Sequence, residues 1–191
     1  MNEQINPAIN LNKEAVKYSI VLAMLSIGSY LLAYLINPQI LIKWWFGILF
    51  LILFIVALIF ISRGLRKSNG GFITFGKLFQ SLFIAMIISS IISTGFNLLL
   101  YKVIDPELET TLRTAMIEST TEMLQGFGMS DDDIEKATSK MQEQSFSPDG
   151  KQFAGIIIFS LIISLIFAAV YKKKDRTTDF ESMLDDGSKT S

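Results

Sequence analysis

The chain has 191 residues, of which 50% are hydrophobic and 18% charged, and its formal net charge is −1. It contains neither cysteine nor histidine, which excludes disulfides, thiolate or imidazole metal sites, cysteine nucleophiles and histidine acid–base chemistry in the single chain. No catalytic, cofactor-binding or metal-binding residue is predicted, and we expect a protein that is not an enzyme.

Four apolar runs are each long enough to cross a bilayer, which takes about 20 residues of helix. Backbone groups cannot remain unpaired in lipid, and the runs are continuously apolar, so helices are favoured over a barrel. The sequence predicts an all-α protein: a four-helix transmembrane bundle with an extramembrane helical hairpin between spans 3 and 4. The predicted segments are an N-terminal segment 1–15, transmembrane helices 16–36 and 44–61, a loop 62–77, transmembrane helix 78–100, an acidic insert 101–152, transmembrane helix 153–171 and a disordered tail 172–191.

The loop 62–77 is basic and rich in glycine. It lacks the Gly-x-x-x-x-Gly-Lys-Ser/Thr order and the preceding strand of a phosphate-binding loop, so a turn is favoured over a nucleotide site. Asn69, Gly70 and Gly71 are expected to supply the left-handed backbone positions of that turn. Thr74 is expected to cap the third span.

Small and polar residues distinguish the third span from the almost uniformly apolar second span. A series of them recurs every four positions, the spacing that lets two helix backbones approach closely. A matching series lies in the fourth span. The predicted helix-packing ridge consists of Ser81, Ala85, Ser89, Ser93, Ser160, Ser164 and Ala168.

This ridge predicts that the third helix is central in the bundle, with the first or fourth helix against it. Two alternatives remain open. The ridge could be a homodimer seam, or the polar face with Ser81, Ser89, Ser93 and Asn97 could line a solute path.

The acidic insert is predicted to form two helices. Asp105 caps the first, Pro106 occupies its first position, Gly126-Phe127-Gly128 ends it, and Ser130 caps the second. Apolar residues at helical spacing form a candidate partner face, which either covers the mouth of the bundle or binds a partner. Its members are Leu108, Leu112, Met116, Met123, Ile134 and Met141.

The carboxylates between Asp131 and Glu135 resemble the start of a calcium-binding loop. An EF-hand requires glycine at the sixth loop position and glutamate at the twelfth, where this chain has Lys136 and Gln142. Stabilisation of the first helical turn by acidic residues is therefore favoured over a metal site.

Basic residues are divided unequally between the two faces of the membrane. Ten lie close to the membrane on the face of the termini and loop 62–77, against six spread through longer segments on the other face. The ten are Lys13, Lys17, Arg63, Arg66, Lys67, Lys77, Lys172, Lys173, Lys174 and Arg176. By the positive-inside rule, we expect a multi-pass protein of the cell inner (cytoplasmic) membrane with both termini cytoplasmic and the insert outside.

Three motifs follow one another in an order typical of a known family. The sequence Gly-Phe-Ile-Thr-Phe-Gly at 71–76 opens the third span, Ile-Asp-Pro-Glu follows it at 104–107, and Gly-Met-Ser-Asp-Asp-Asp-Ile-Glu lies at 128–135. With the four spans, this order resembles a bacterial inner-membrane family known only as domain of unknown function 4199. The resemblance covers most of the chain and implies no functional residue.

Two functions remain open from the sequence. The leading hypothesis is a non-enzymatic accessory or interaction protein that uses the outer helical hairpin. The alternative is a small oligomeric transporter or channel lined by the polar face of transmembrane helix 3. The expected partners are the lipid bilayer and either a second copy of the chain or a neighbouring membrane or periplasmic protein; no nucleic acid and no cofactor is expected.

Overall fold

The structure is a computed structural model, and residues 7–143 and 150–173 of it are described. Over these residues it contains six α-helices and no β-strand, which confirms the all-α prediction. The predicted tail beyond Lys173 and the residues before Pro7 lie outside the described part. The helices are α1 (Pro7–Ile36), α2 (Trp44–Ser68), α3 (Phe75–Leu99), α4 (Leu108–Gly126), α5 (Asp131–Glu143) and α6 (Gly150–Tyr171), with a 3-10 helix at Pro38–Ile42 and a π-helical turn at Leu100–Ile104.

Four of the six helices are long and apolar enough to span a membrane, as predicted. The candidate spans are Leu11–Ile36, Trp44–Ser68, Phe75–Ile104 and Gln152–Tyr171. They belong to α1, α2, α3 and α6, and the remaining helices, α4 and α5, form the hairpin between spans 3 and 4. α2 continues past its apolar run to Ser68 with Arg66 and Lys67 in its last turn, where basic groups interact favourably with the negative end of the helix dipole.

α3 makes the most extensive helix–helix contacts in the bundle. It packs along α1 and along α6, whereas its contact with α2 is slight. α2 completes the bundle through contacts with α1 and α6, and leaves most of its large apolar side chains between Trp44 and Val56 exposed. Apolar side chains exposed on a spanning helix are suited to lipid.

Two separate apolar clusters hold the bundle together, one at each end. The cluster nearer the termini includes Leu11, Leu58, Leu65, Leu78 and Leu82. The cluster at the insert end is centred on Leu100, Tyr101, Leu108 and Leu112. The insert is therefore packed against the bundle through its own first turns.

The glycine-rich loop forms a turn that is fastened to the end of α6. Gly70 and Gly71 have φ values of 74° and 89°, which confirms two of the three predicted left-handed positions; the prediction was wrong for Asn69, whose φ is −98°. Ile73 pairs with Lys173 through two backbone hydrogen bonds of 2.9 Å, one in each direction. Thr74 is the N-cap residue of α3, but its side chain makes no capping hydrogen bond.

Glycine at position 64 leaves room for the ring of Tyr18 where α2 meets α1. A Cβ atom at Gly64 would lie 2.0 Å from Oη and 2.7 Å from Cζ of Tyr18. By contrast, a Cβ atom at Gly47, in the same helix, would meet nothing within 4 Å. The tyrosine ring thus fills the space that a larger residue at 64 would need.

We expect Gly64→Ala to destabilise the bundle by about 1–3 kcal/mol, the usual effect of overpacking a filled site. The measurement is thermal unfolding in detergent micelles, followed by circular dichroism. Gly47→Ala is the matched control and should leave the melting temperature unchanged or slightly raised, because alanine favours helix. In a Tyr18→Ala background, Gly64→Ala should lower the melting temperature much less, because the ring that the new methyl group meets is gone. Equal melting temperatures for the two glycine variants would contradict the prediction.

Candidate functional site

The residues of the predicted helix-packing ridge lie mostly inside the bundle. Six of the seven are buried, with exposures of 0–7%. These are Ser81, Ala85, Ser89, Ser160, Ser164 and Ala168. α3 and α6 pack against each other within a single chain, and these residues are buried there. A dimer seam through the same residues would require the bundle to open.

The buried hydroxyls of the bundle differ in how they are satisfied. Three serines each donate to a carbonyl of their own helix at 2.6–2.8 Å: Ser19, Ser62 and Ser90. Ser164 Oγ donates across the helix interface to Met86 Sδ at 3.5 Å. Ser93 Oγ is buried and finds no hydrogen-bond partner among the described residues. An unpaired buried hydroxyl is costly, so Ser93 requires an explanation.

Ser93 lines a cavity of about 250 Å³ between the four membrane helices. α3 supplies a polar wall, which includes Ser89, Ser90, Ser93, Thr94 and Asn97. Mostly apolar side chains from the other helices face it, among them Leu22, Phe50, Phe54 and Phe159, together with Ser26 of α1 and Ser160 of α6.

The cavity occupies the half of the bundle nearer the insert. Its lining on α3 extends from Met86 to Asn97, close to the π-helical turn that leads to the insert. In the other half, the α3 residues Leu78, Ser81, Leu82 and Ala85 are buried at 0–2% exposure. The predicted polar face of helix 3 is therefore divided: Ser81 is packed, while Ser89, Ser93 and Asn97 line the cavity.

Four polar residues fasten the insert to the bundle, and we call them the hairpin base: Tyr30, Tyr34, Tyr101 and Asp105. The hydroxyls of Tyr30 and Tyr101 are hydrogen-bonded, and the two rings meet edge to face. Tyr34 Oη donates to Asp105 Oδ2 at 3.0 Å. Asp105 Oδ1 accepts a 3.1 Å bond from the backbone N–H of Leu108 at the start of α4. Asp105 thus makes the predicted capping hydrogen bond to the start of α4 and also ties it to α1. The helix begins two residues later than predicted, at Leu108 with Glu107 as its N-cap residue, so Pro106 lies in the turn before it.

The structure divides the candidate partner face among three environments. Leu108 and Leu112 are buried at the insert end of the bundle, beside Leu41 and Ile42 of the 3-10 helix. Ile134 is buried in the hairpin. Met116 and Met141 are partly exposed, and Met123 is exposed. The six residues therefore do not form one continuous exposed surface.

The hairpin is closed by polar contacts at both of its ends. Near the bundle, the Arg113 guanidinium donates to Glu109 Oε1 and to the carbonyl of Gln142, both at 2.9 Å. At the far end, Ser130 Oγ donates to Asp133 Oδ2 at 2.8 Å, and the Asp133 N–H lies 3.4 Å from Ser130 Oγ. Ser130 therefore caps α5, as predicted.

The end of the hairpin exposes three large apolar side chains, which we call the tip. Met123, Phe127 and Met129 are 54%, 77% and 41% exposed. Gly128, with φ 74°, reverses the chain between α4 and α5. The tip is followed directly by the exposed carboxylates of Asp131 to Asp133. Over residues 7–143 and 150–173, no group of three or more acidic side chains could hold a metal ion.

Several of these residues carry no local signal in the sequence. Tyr30 and Tyr34 are one turn apart at the end of the first span, but nothing local indicates their partners 71 positions away. Phe127 and Met129 were interpreted only as part of a helix stop and its following loop. The two phenylalanines of α2 that line the cavity have no local signal that separates them from lipid-facing residues.

Four spanning helices and one extramembrane hairpin define a multi-pass, all-α membrane protein. The chain belongs to the family described as "Protein of unknown function (DUF4199)", whose family model matches residues 17–173. No curated protein and no solved structure matches the chain.

We expect Asp105→Ala to loosen the hairpin from the bundle, because the change removes the acceptor of both Tyr34 Oη and the Leu108 N–H. Cleavage of the insert by a protease should become about tenfold faster, which corresponds to about 1.4 kcal/mol of easier local opening. The measurement is limited proteolysis of the protein in lipid nanodiscs.

Tyr34→Phe should give part of this acceleration, since it removes only one of the two hydrogen bonds. Asp132→Ala serves as the control, because Asp132 is exposed in the first turn of α5 and outside the hairpin base. Equal cleavage rates for Asp105→Ala and Asp132→Ala would show that the hairpin base does not hold the insert.

Proposed function

We propose that the protein is a non-enzymatic accessory protein of the bacterial inner membrane, and that its hairpin binds a neighbouring membrane or periplasmic protein. One observation carries the proposal: the tip places Met123, Phe127 and Met129 together as an exposed apolar surface on the extramembrane element. Aromatic and methionine side chains are enriched in the buried centres of protein interfaces.

The way the hairpin is held supports this function. The hairpin base and the buried Leu108 and Leu112 fix the start of α4 on the bundle, and Arg113 joins α4 to the end of α5. A surface presented on fixed helices loses less conformational freedom on binding than a flexible loop does. The tip is therefore suited to binding without prior folding of the insert.

Charge favours a protein partner over the membrane surface. Between Asp105 and Glu143 there are ten acidic residues and three basic ones, a net charge of −7. Anionic lipid head groups repel such a segment, whereas they attract basic segments. The partner that fits is a protein with an apolar patch bordered by basic residues, because these would face Asp131 and Asp132.

Photo-crosslinking tests the proposal. We expect benzoylphenylalanine at position 127 to give one discrete adduct with another protein in native membranes, and the same group at the exposed Glu135 to give none. Met129→Asp, which places a charge in the apolar contact, should lower the yield of the adduct at least fivefold. Asp131→Lys with Asp132→Lys should lower it as well.

Glu107→Lys is the matched charge control, since Glu107 is exposed beside the hairpin base and away from the tip. It should leave the adduct unchanged. Adducts only with lipid, or only with a second copy of the chain, would contradict a neighbouring protein as the partner. An adduct that survives Met129→Asp would contradict binding through the tip.

The proposed orientation places both termini in the cytoplasm and the insert outside, as the distribution of basic residues favours. Because the chain has no cysteine, single introduced cysteines test this directly. We expect a membrane-impermeant maleimide to label Thr114→Cys in intact cells and to label Ser68→Cys only after the membrane is opened.

Both positions are exposed, so a permeant maleimide should label both variants equally and provides the control. The reverse pattern with the impermeant reagent would overturn the orientation. In that case the tip would face the cytoplasm, and the partner would have to be sought there.

Transport is the second candidate function, and the cavity beside Ser89, Ser93 and Asn97 favours it. A path across the bundle would also require an opening at Ser81 and Ala85, where α3 is packed. Transport would therefore need a rearrangement or an oligomer. Transport would be favoured over the accessory function if the protein carried a solute into proteoliposomes and Ser93→Leu abolished that flux.

A further inference from the structure

The cavity between the membrane helices has the chemistry of a binding site of its own. We propose that it binds a neutral amphiphile from the bilayer: a molecule with a hydroxyl or carbonyl head group and an apolar body. This inference concerns a different region from the hairpin tip and does not depend on the proposed accessory function.

The two walls of the cavity match the two parts of such a molecule. The α3 wall offers hydroxyls and one amide, from Ser89, Ser90, Ser93, Thr94 and Asn97. The opposite walls are mainly leucine, isoleucine and phenylalanine side chains, which suit an acyl or isoprenoid body, and they add the hydroxyls of Ser26 and Ser160. No lining residue is charged, and an unpaired charge is very costly to bury, so the head group must be neutral.

Ser93 supplies an observation independent of the shape of the cavity. Its Oγ is buried without a hydrogen-bond partner among the described residues, although the neighbouring Ser90 donates to Ile87 O at 2.8 Å. In a membrane, water does not generally reach such a group, and an unsatisfied hydroxyl is unfavourable. A hydroxyl or carbonyl on a bound molecule would satisfy it.

Size and access also fit. The volume of about 250 Å³ exceeds the roughly 150 Å³ that accommodates a benzene-sized molecule. Phe159, which lines the cavity, is 47% exposed on the outside of the bundle. An amphiphile can therefore approach past Phe159 from the lipid, place its head group against α3 and leave the end of a long apolar body in the bilayer.

Photolabelling in lipid nanodiscs tests this inference. The probe is hexadecanol with a diazirine on the second carbon, and two matched probes carry the same diazirine in hexadecane and in hexadecylamine. We expect the alcohol to label α3 between residues 86 and 97 and α6 between 156 and 160. This labelling should saturate and should be displaced by unlabelled hexadecanol, while the alkane and the charged amine label the same residues several-fold less.

Substitutions at Ser93 separate the head-group contact from the space it occupies. Ser93→Ala should raise the probe concentration at half-saturation about two- to tenfold, the effect of losing one neutral hydrogen bond. Ser93→Leu should abolish the saturable labelling by filling the cavity, and Ser26→Leu should do the same from α1. Ile91→Phe adds volume on the exposed side of α3 and should change nothing.

Cooperative thermal unfolding identifies the variants that fold. If neither leucine variant folds, the change in half-saturation caused by Ser93→Ala tests the site. The proposal is overturned if labelling does not saturate and is spread equally over lipid-facing residues of α2 such as Leu51 and Phe60. That outcome would mean that the cavity binds no amphiphile. Saturable labelling that Ser93→Ala leaves unchanged would also overturn the head-group contact.

Discussion

Close contact of α3 with α1 and α6 is the interaction on which the other features of this protein depend. Lipid tails are as apolar as leucine, so helices inside a bilayer associate mainly through packing and hydrogen bonds rather than through the hydrophobic effect. Small side chains meet this requirement because they let backbones approach. Ala85 on α3 and Ala168 on α6 are completely buried, and the hydroxyl of Ser164 is satisfied by Met86 across the same interface.

The position of α3 also determines both ends of the molecule. At one end, the strand-like pairing of Ile73 with Lys173 joins the residues before α3 to the end of α6. At the other, α3 passes into the π-helical turn Leu100–Ile104, which places Tyr101 against Tyr30 and Asp105 against Tyr34. Single-turn π segments often occur at functional positions. Here the turn leads the chain from the membrane into the hairpin, so the hairpin that carries the tip is a direct continuation of α3.

The sequence predicted those features whose signals are local. Apolar length predicted the spans, and the capping positions of Asp105 and Ser130 and the left-handed glycines 70 and 71 follow from short-range backbone chemistry. The hairpin base could not be found in this way, because Tyr30 and Tyr101 become neighbours only once α1 and α3 pack. The separation of the candidate partner face into buried and exposed parts could not be predicted for the same reason. Helical spacing places Leu108 and Met123 on one face but does not indicate that only Leu108 is covered by the bundle.

One repeat of small residues produces both a packed interface and a cavity because its neighbours differ. Around Ser81 and Ala85, the facing side chains allow the helices to close, and these residues are buried. Farther along, Ser89 and Ser93 are equally small, but Phe50, Phe54 and Phe159 border the same space. Ser26 of α1 and Ser160 of α6 also face this space, and serines are too short to fill it. Spacing therefore determines which residues share a face, and the side chains on the opposing helices determine whether that face closes or leaves a cavity.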